Sequence, residues 1–271
     1  MHTATLLHKI DTLTNDFPGV QMYLKDESEH PFGTIKDRRN ESIIMEAQRL
    51  GVDKLTLITS GNNGYSLAML AKDTDIEVTC IVSKSINSEV FSKLEKVAHD
   101  VIKVNLKDKI LRPEEIISFA RERDDEVIWD VTNGYEESYG GIVSEIYSQL
   151  KKVDYIVVPL GSGGIFVGIA EQLAVSFHRA KVVGMGPKAT HDSFADKLST
   201  PWSPYTKAIQ NYKKTGHKTF RLSESEIRKS YADYRNICNC EPSASIVFGA
   251  LNHLKLKKGD VVVFVNSGSS L

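Results

Sequence analysis

The chain has 271 residues, 41% hydrophobic and 25% charged, which is typical of a globular protein with one large domain or two smaller ones. Its 34 basic residues nearly balance its 35 acidic residues, so the chain has no excess of positive charge that would indicate binding to nucleic acid or to an anionic membrane surface. No apolar run approaches the roughly 18 residues that a membrane-spanning helix needs.

Strand-like and helical patterns alternate along most of the chain. The predicted strands cover residues 20–25, 54–59, 76–82, 101–104, 127–131, 154–159, 181–185 and 260–265. The predicted helices cover residues 36–50, 65–72, 88–98, 113–123, 139–150, 165–177, 223–236 and 241–256. Strands separated by helices of about ten residues indicate βαβ units and a parallel sheet. Residues 186–219 are polar and lack periodicity, which indicates a surface excursion that could contribute to a substrate pocket.

Lys36 follows a turn that joins a predicted strand to a predicted helix. Pro31 and Gly33 punctuate the backbone, and the helical pattern begins after Thr34. The positive end of a helix dipole disfavours a cation, and so it favours the neutral amine that a Schiff-base lysine needs. Taken alone, the same pattern also fits a solvated surface lysine.

Turns of small polar residues follow several predicted strands, at the edge where open α/β sheets bind ligands. After residues 154–159 come Gly161, Ser162, Gly163 and Gly164, whose successive N–H groups at a helix start suit a phosphate. The spacing matches neither the dinucleotide fingerprint nor the P-loop, which favours a phosphate monoester over a nucleotide. A tight turn without a ligand is the alternative.

Two further turns have weaker signals. Ser60, Gly61, Asn62 and Asn63 offer hydroxyl, amide and N–H groups that suit a carboxylate or the phenolic oxygen of an aromatic cofactor, or they only cap a helix. Ser267 places a hydroxyl at the end of the last strand, where a turn without function is the alternative.

Cysteine usage and the start of the chain bear on metals and location. The three cysteines are too few, and odd in number, for a disulfide framework. Cys238 and Cys240 are close enough to begin a metal site, but no second ligand pair follows at a suitable spacing. Residues 1–5 lack a basic region followed by an apolar block, which argues against secretion. We therefore expect a cytoplasmic, reduced protein without a metal.

Together these stretches resemble the β-family, or fold type II, of pyridoxal-phosphate (PLP) enzymes, which includes cysteine synthase, threonine synthase, threonine dehydratase, serine racemase and the tryptophan synthase β chain. Residues 25–38 resemble the family's K-x-E and P-T-G-S-F-K-D-R, and residues 59–64 its (T/S)SGN-x-G loop. Residues 161–165 resemble its phosphate loop, and residues 266–268 its serine beside the pyridine nitrogen. The resemblance runs from about Thr5 to the end of the chain.

The resemblance implies an α/β fold of two doubly wound parallel-sheet domains with the cofactor between them. Residues 1–40 and 141–271 would form the larger, PLP-binding domain, and residues 41–140 a smaller, mobile domain. The family's members also imply a homodimer.

Roles for single residues follow from the same resemblance. Lys36 would bind pyridoxal 5'-phosphate as a Schiff base and act as the catalytic base. Ser60, Gly61 and Asn63 would bind the substrate. The remaining cofactor-binding residues would be Asn62, Gly161, Ser162, Gly163, Gly164, Ile165 and Ser267.

The expected reaction follows from the neutral Ser267. A hydroxyl would leave the ring nitrogen largely unprotonated, which weakens the electron sink and favours expulsion of a substituent over transamination. We expect β- or γ-elimination or replacement on a small amino acid, like threonine synthase or cysteine synthase. A serine/threonine dehydratase-type ammonia-lyase and a catalytically silent PLP-fold binding protein are alternatives. An NAD-type oxidoreductase would share the βαβ pattern, but the missing fingerprint counts against it.

Some positions depart from the family pattern. Phe32, Thr34 and Ile35 replace the commoner Thr, Ser and Phe beside Lys36, which would reshape the pocket there. Residues 241–245 are similar to the E-P-(A/S)-S-A stretch of threonine synthases, whereas the phosphate loop is more like those of cysteine synthases and dehydratases. The sequence therefore leaves the subfamily open.

Overall fold

The structure is a computed structural model that describes residues 4–13, 16–106, 110–189, 192–199, 202–237 and 240–269. The chain divides into two compact units. The first contains the described residues up to His30 together with those from Glu136 onward, and the second is Pro31–Tyr135. Residues 31–40, with Lys36, thus belong to the second unit instead of the larger one, and residues 136–140 belong to the first.

Strands and helices alternate in the order that the sequence predicts over most of the chain. The strands are β1 (Leu7–Lys9), β2 (Gln21–Asp26), β3 (Lys54–Ile58), β4 (Glu77–Ser83), β5 (Asp100–Val104), β6 (Ile128–Asp130), β7 (Tyr155–Pro159), β8 (Lys181–Pro187), β9 (Lys218–Leu222) and β10 (Val261–Asn266). The α-helices are α1 (Lys36–Leu50), α2 (Asn62–Ala71), α3 (Ser88–Glu95), α4 (Pro113–Ser118), α5 (Gly141–Gln149), α6 (Gly164–Val175), α7 (Thr206–Lys214), α8 (Glu224–Tyr234) and α9 (Pro242–Ser245).

The first unit is built on one sheet with the strand order β1-β2-β10-β7-β8-β9. β1 pairs antiparallel with β2, and every other neighbouring pair is parallel. Val262 lies opposite both Met22 and Tyr155, which places β10 in the centre of the sheet. All residues of β10 are buried, as expected of a parallel strand covered on both faces.

The second unit is built on a parallel sheet with the order β5-β4-β3-β6. Its core joins the strands to the helices that cross over between them, with Leu55 and Leu57 of β3 packed with Ile43 of α1 and Leu67 of α2. α1 ends as predicted at Gly51, whose left-handed φ of 68° stops the helix. The predicted α/β class with parallel sheets is confirmed.

Residues 186–219, which we expected to form a surface excursion, contain regular elements that the sequence did not predict. This part of the chain contains α7, the short 3₁₀ turn Asp196–Leu198 and the first two residues of β9, which extends the sheet beside β8. β9 is an edge strand whose positions are exposed or half-buried except for the buried Leu222 at its end, and no residue of α7 is buried. Such elements lack the apolar periodicity from which buried strands and helices are predicted.

Several predicted helix ends are also wrong. α2 begins at Asn62, earlier than the predicted start at Tyr65, and α4 ends at Ser118 instead of residue 123. The predicted helix 241–256 is α-helical only over Pro242–Ser245 and then continues as 3₁₀ turns over Ile246–Asn252. By contrast, the predicted helix 223–236 is present as α8, and a capping box of Ser223 and Glu226 marks its start. In the part of the chain that the structure describes, no helix has both the length and the apolar character needed to cross a membrane.

Candidate active site

Lys36 is the first residue of α1, where the sequence predicted it. The turn before it is fixed by two side chains, because Phe32 N donates to Asp37 Oδ2 (2.8 Å) and Lys36 N donates to Thr34 Oγ1 (3.3 Å). Gly33 supplies the left-handed φ of 71° that the turn requires. Lys36 itself is half-buried, so its side chain starts from a rigid point and is not fully solvated.

The polar loop after β3 is held by a threonine hydroxyl. Thr59 Oγ1 accepts hydrogen bonds from the N–H groups of Gly61 (3.1 Å) and Gly64 (3.0 Å). Asn62 begins α2 and is buried, whereas Ser60 is exposed. Thr59 thus takes the N–H group of Gly64, whereas the other N–H groups of the first turn of α2 have no acceptor within the helix, and this helix start is suited to an anion.

Two residues that the sequence analysis missed connect the Lys36 helix to this loop. Asn40 Nδ2 donates to the backbone carbonyl of Asn63 (3.0 Å) and to Ser66 Oγ (3.0 Å). Arg39 Nη1 donates to Asn63 Oδ1 (3.2 Å). Both residues are buried, although their type is usually exposed. Polar residues within one turn of the lysine are a signal that could have pointed to them.

The glycine-rich turn joins β7 to α6, as predicted. Gly163 caps α6 with a left-handed φ of 107°, and the helix runs from Gly164 for 12 residues. The first N–H groups of α6, including that of Ile165, lack acceptors within the helix by geometry. Backbone donors free of side chains at the N-terminus of a helix fit a phosphate group.

Residues from 196–199 and from 202–209 pack on this turn. An ideal Cβ on Gly161 would lie 3.3 Å from Leu198 Cα, and one on Gly163 would lie 2.6 Å from Ile209 Cδ1. Ser203 Oγ donates to the backbone carbonyl of Ser162. The segment thus makes contact with the glycine turn itself and fixes its backbone, and this contact was not foreseen.

Ser267 follows β10 and is half-buried. β10 and β7 are parallel neighbours, so their carboxyl ends, with Ser267 and the glycine turn, lie at the same edge of the first sheet. Asn266 Nδ2 donates to Asp26 Oδ1 (2.7 Å), and Gly268 N donates to Asn266 Oδ1 (3.2 Å). These bonds fix the turn that carries Ser267.

The structure thus collects the predicted residues in two groups. In the second unit, Lys36 and the loop of Ser60, Gly61, Asn62 and Asn63 lie on helices joined by hydrogen bonds. In the first unit, the glycine turn and Ser267 lie at one sheet edge.

A cluster of possible metal ligands lies elsewhere in the first unit. His8, Asp26 and Glu29 have ligand atoms within 4.8 Å of one another. His8 Nε2 already lies 3.1 Å from Glu29 Oε1, and Asp26 Oδ1 accepts from Ser28 and Asn266. These contacts account for the cluster without an ion. Cys240 is buried, and Cys238 lies outside the described residues.

Comparison with known protein families gives one match to nearly the whole chain. The family described as "Pyridoxal-phosphate dependent enzyme" matches residues 2–268. Among curated proteins, cystathionine beta-synthase of Saccharomyces cerevisiae is 28% identical over 214 residues, which are 72% of this chain and 41% of that protein. The chain therefore spans less than half the length of this relative.

Solved structures share the fold. A pyridoxal 5'-phosphate-dependent aspartate racemase has a TM-score of 0.84 at 18% identity, over 99% of this chain and 91% of that one. An O-acetylserine dependent cystathionine beta-synthase from Helicobacter pylori has a TM-score of 0.79 at 19% identity, over 98% of this chain and 93% of that one. At these identities the likeness shows the fold alone.

Proposed function

Because this chain belongs to the family of pyridoxal-phosphate dependent enzymes, we propose that it eliminates or replaces a substituent on the β- or γ-carbon of a small amino acid. The observation that carries the proposal is Ser267, a neutral hydroxyl in a turn that is fixed by Asn266 at the carboxyl end of β10. A neutral partner at the ring nitrogen favours expulsion of a leaving group over transamination. Bound PLP supplies an electron sink that acidifies the α-proton of an attached amino acid.

Lys36 holds the cofactor and acts as the base in this proposal. Its place as the first residue of α1 fixes the point from which its side chain starts. The Lys36 amine would hold the cofactor through its aldehyde group and would be the group that takes the α-proton of the substrate. The rigid turn before Lys36 supports this assignment, since a catalytic base must be held in a fixed position relative to the proton that it takes.

The remaining groups position the cofactor and the substrate. The N–H groups of the turn from Gly161 to Ile165 would bind the phosphate, and Asn62 the 3-oxygen of the cofactor ring. Ser60, Gly61 and Asn63, at the start of α2, would bind the substrate carboxylate. Thr59 Oγ1 fixes the backbone of this loop through the N–H groups of Gly61 and Gly64, so the loop needs little reorganisation when the anion arrives.

Three weaker arguments bear on the subclass, and the first two point in different directions. The stretch 241–245 favours a threonine synthase-like reaction, and the glycine turn favours a cysteine synthase-like one. The similarity to cystathionine beta-synthase adds weight to replacement at the β-carbon.

We further propose that the chain forms a homodimer. This proposal rests on the family resemblance, and light scattering on the purified chain will test it.

The first experiment tests the cofactor. The purified chain, incubated with PLP, should absorb in the visible region, and borohydride should fix the mass of the reduced cofactor on the peptide that contains Lys36. The variant Lys36→Ala should retain no mass on that peptide. A colourless chain that takes up no PLP would refute the proposal.

The second experiment separates the reaction classes. We would supply O-acetyl-L-serine with sulfide or with L-homocysteine, O-phospho-L-homoserine, L-serine and L-threonine. Cysteine or cystathionine indicates β-replacement, and threonine with released phosphate indicates γ-elimination followed by hydration. A keto acid with ammonia indicates an ammonia-lyase. A D-amino acid as the sole product would contradict elimination and replacement.

A further inference from the structure

Arg39 is a buried cation on the helix that begins at Lys36. The residue is only 3% exposed, and its guanidinium donates four hydrogen bonds. Nη2 donates to the carbonyls of Val131 (2.7 Å) and Asn133 (3.3 Å), and Nε donates to that of Gly134 (3.2 Å). The remaining bond, from Nη1, goes to Asn63 Oδ1 at 3.2 Å.

All of these acceptors are neutral. Within the described residues no carboxylate lies within ion-pair distance of the Arg39 guanidinium, whereas buried cations are usually paired with an anion. Its charge is therefore balanced only by carbonyl and amide dipoles. The cost of burying such a charge falls if an anion binds nearby.

The bond from Arg39 also decides which way the Asn63 amide faces. A guanidinium only donates, so the amide oxygen must face Arg39 and the NH₂ group must point away from it. Asn40 holds the backbone carbonyl of the same residue. Asn63 lies in the first turn of α2, where the helix dipole adds further positive potential.

We propose that Arg39 is a positioning residue for the substrate carboxylate, because it presents the Asn63 NH₂ group as a donor and leaves an unbalanced positive charge behind it. This inference rests on the proposed function, since it requires Asn63 to bind that carboxylate. Arg39 acts through Asn63 and touches neither cofactor nor substrate.

The test compares two ligands on the PLP-loaded protein. L-Alanine has a carboxylate and no leaving group, and ethylamine is the same molecule without the carboxylate. Each is titrated through the change in the absorption band of the cofactor. We expect Arg39→Gln to raise the Kd of L-alanine about tenfold or more and to leave the Kd of ethylamine unchanged.

Arg49→Gln is the matched control. It removes the same charge from the same helix, but Arg49 is exposed and contacts only Glu46 among the described residues. We expect both Kd values to stay unchanged in this variant. If Arg39→Gln weakens the binding of L-alanine and of ethylamine equally, the role of Arg39 is structural and the inference is wrong. The inference is also wrong if neither Kd changes.

A double-mutant cycle tests whether Arg39 acts through Asn63. Once Asn63→Ala is present, Arg39→Gln should cause little further rise in the Kd of L-alanine. Additive losses would contradict positioning, and this cycle decides the matter even if ethylamine gives no signal. If Arg39→Gln does not retain PLP, Arg39→Lys takes its place, because lysine keeps the charge but cannot hold Asn63 and the carbonyls together.

The experiments distinguish a failure of the proposed function from a failure of the inference about Arg39. A parent chain that binds no PLP refutes that proposal. A parent chain that binds PLP and ethylamine but not L-alanine refutes only the role of Arg39.

Discussion

Lys25 Nζ lies 2.6 Å from Glu145 Oε2, which ties β2 to α5 across 120 residues of sequence. Lys25 also donates to the backbone carbonyl of Thr5 (2.6 Å) and lies 3.6 Å from Glu27. Glu27 in turn accepts from Thr5 Oγ1 (2.7 Å) and lies 3.1 Å from His30 Nε2. The K-x-E stretch is therefore a buried ion network in the first unit, and its role in the described contacts is structural.

The first prediction concerns this network. Lys25→Met should lower the free energy of unfolding by about 3 kcal/mol, because it leaves buried carboxylates without their cation. Urea unfolding measures the change. Lys152→Met is the control, since Lys152 is largely exposed and pairs with Asp154 at the surface, and it should have little effect. Equal effects of the two substitutions would show that burial of Lys25 does not matter.

The second prediction concerns the glycine turn. Gly163→Ala should destabilise the protein by about 3 kcal/mol, because it combines a left-handed backbone with a Cβ 2.6 Å from Ile209 Cδ1. Gly51→Ala should lower the free energy of unfolding by only about 1 kcal/mol. Gly51 also has a positive φ, but no atom lies within 4 Å of its ideal Cβ position. Adding Ile209→Val should recover part of the loss in Gly163→Ala. No recovery would argue against the contact with Ile209.

The third prediction concerns pH. Burial, and then the nearby charge of Lys181, lower the pKa of His217 from 6.5 to about 4. His217 Nδ1 accepts a hydrogen bond from Val182 N (2.9 Å), which requires an unprotonated nitrogen. The folded state thus favours neutral His217, so its contribution to stability is complete above about pH 6.5 and is lost as the pH falls toward about 4.

Urea midpoints of the parent chain and of His217→Gln, measured across this pH range, will check the third prediction. The stability difference between the two should shrink as the pH falls. His99→Gln serves as the control for replacing a histidine at a position that is about half exposed. A pH-independent difference for His217→Gln would rule out the depressed pKa.

The fourth prediction concerns Cys80. Burial, with a smaller effect of Asp100, raises the pKa of this thiol to about 12, and the residue is fully buried. The thiolate is the reactive form, so Cys80 should resist a disulfide reagent in the native protein and react after unfolding. Mass spectrometry of the labelled peptides will show this. Native labelling of the Cys80 peptide at the rate of the unfolded chain would contradict the burial.

Local signals explain what the sequence predicted well. The starts of α1 and α6 and the end of α1 are marked by proline and glycine, whose backbone preferences act over a few residues. The buried parallel strands stand out as apolar runs. The family and the cofactor were also predicted from short stretches, and both are confirmed by the match to residues 2–268.

Signals that depend on distant contacts were missed. α7 and β9 have mixed polar sequences, and they are ordered because they pack on the glycine turn and on β8. The boundary of the second unit at Pro31 also escaped detection, since no shift in composition marks it. The roles predicted for the single residues of the site stay predictions.

The sequence by itself determined the order of most strands and helices, the parallel α/β class and the stretch that carries Lys36, because backbone preference and apolar periodicity are local properties. Only the tertiary structure decided that Arg39 is a buried cation facing Asn63, with carbonyls of residues 131–134 as its other partners. Burial and hydrogen-bond partners depend on segments that are far apart in the chain. An arginine beside the lysine therefore looks like a surface residue until the fold encloses it.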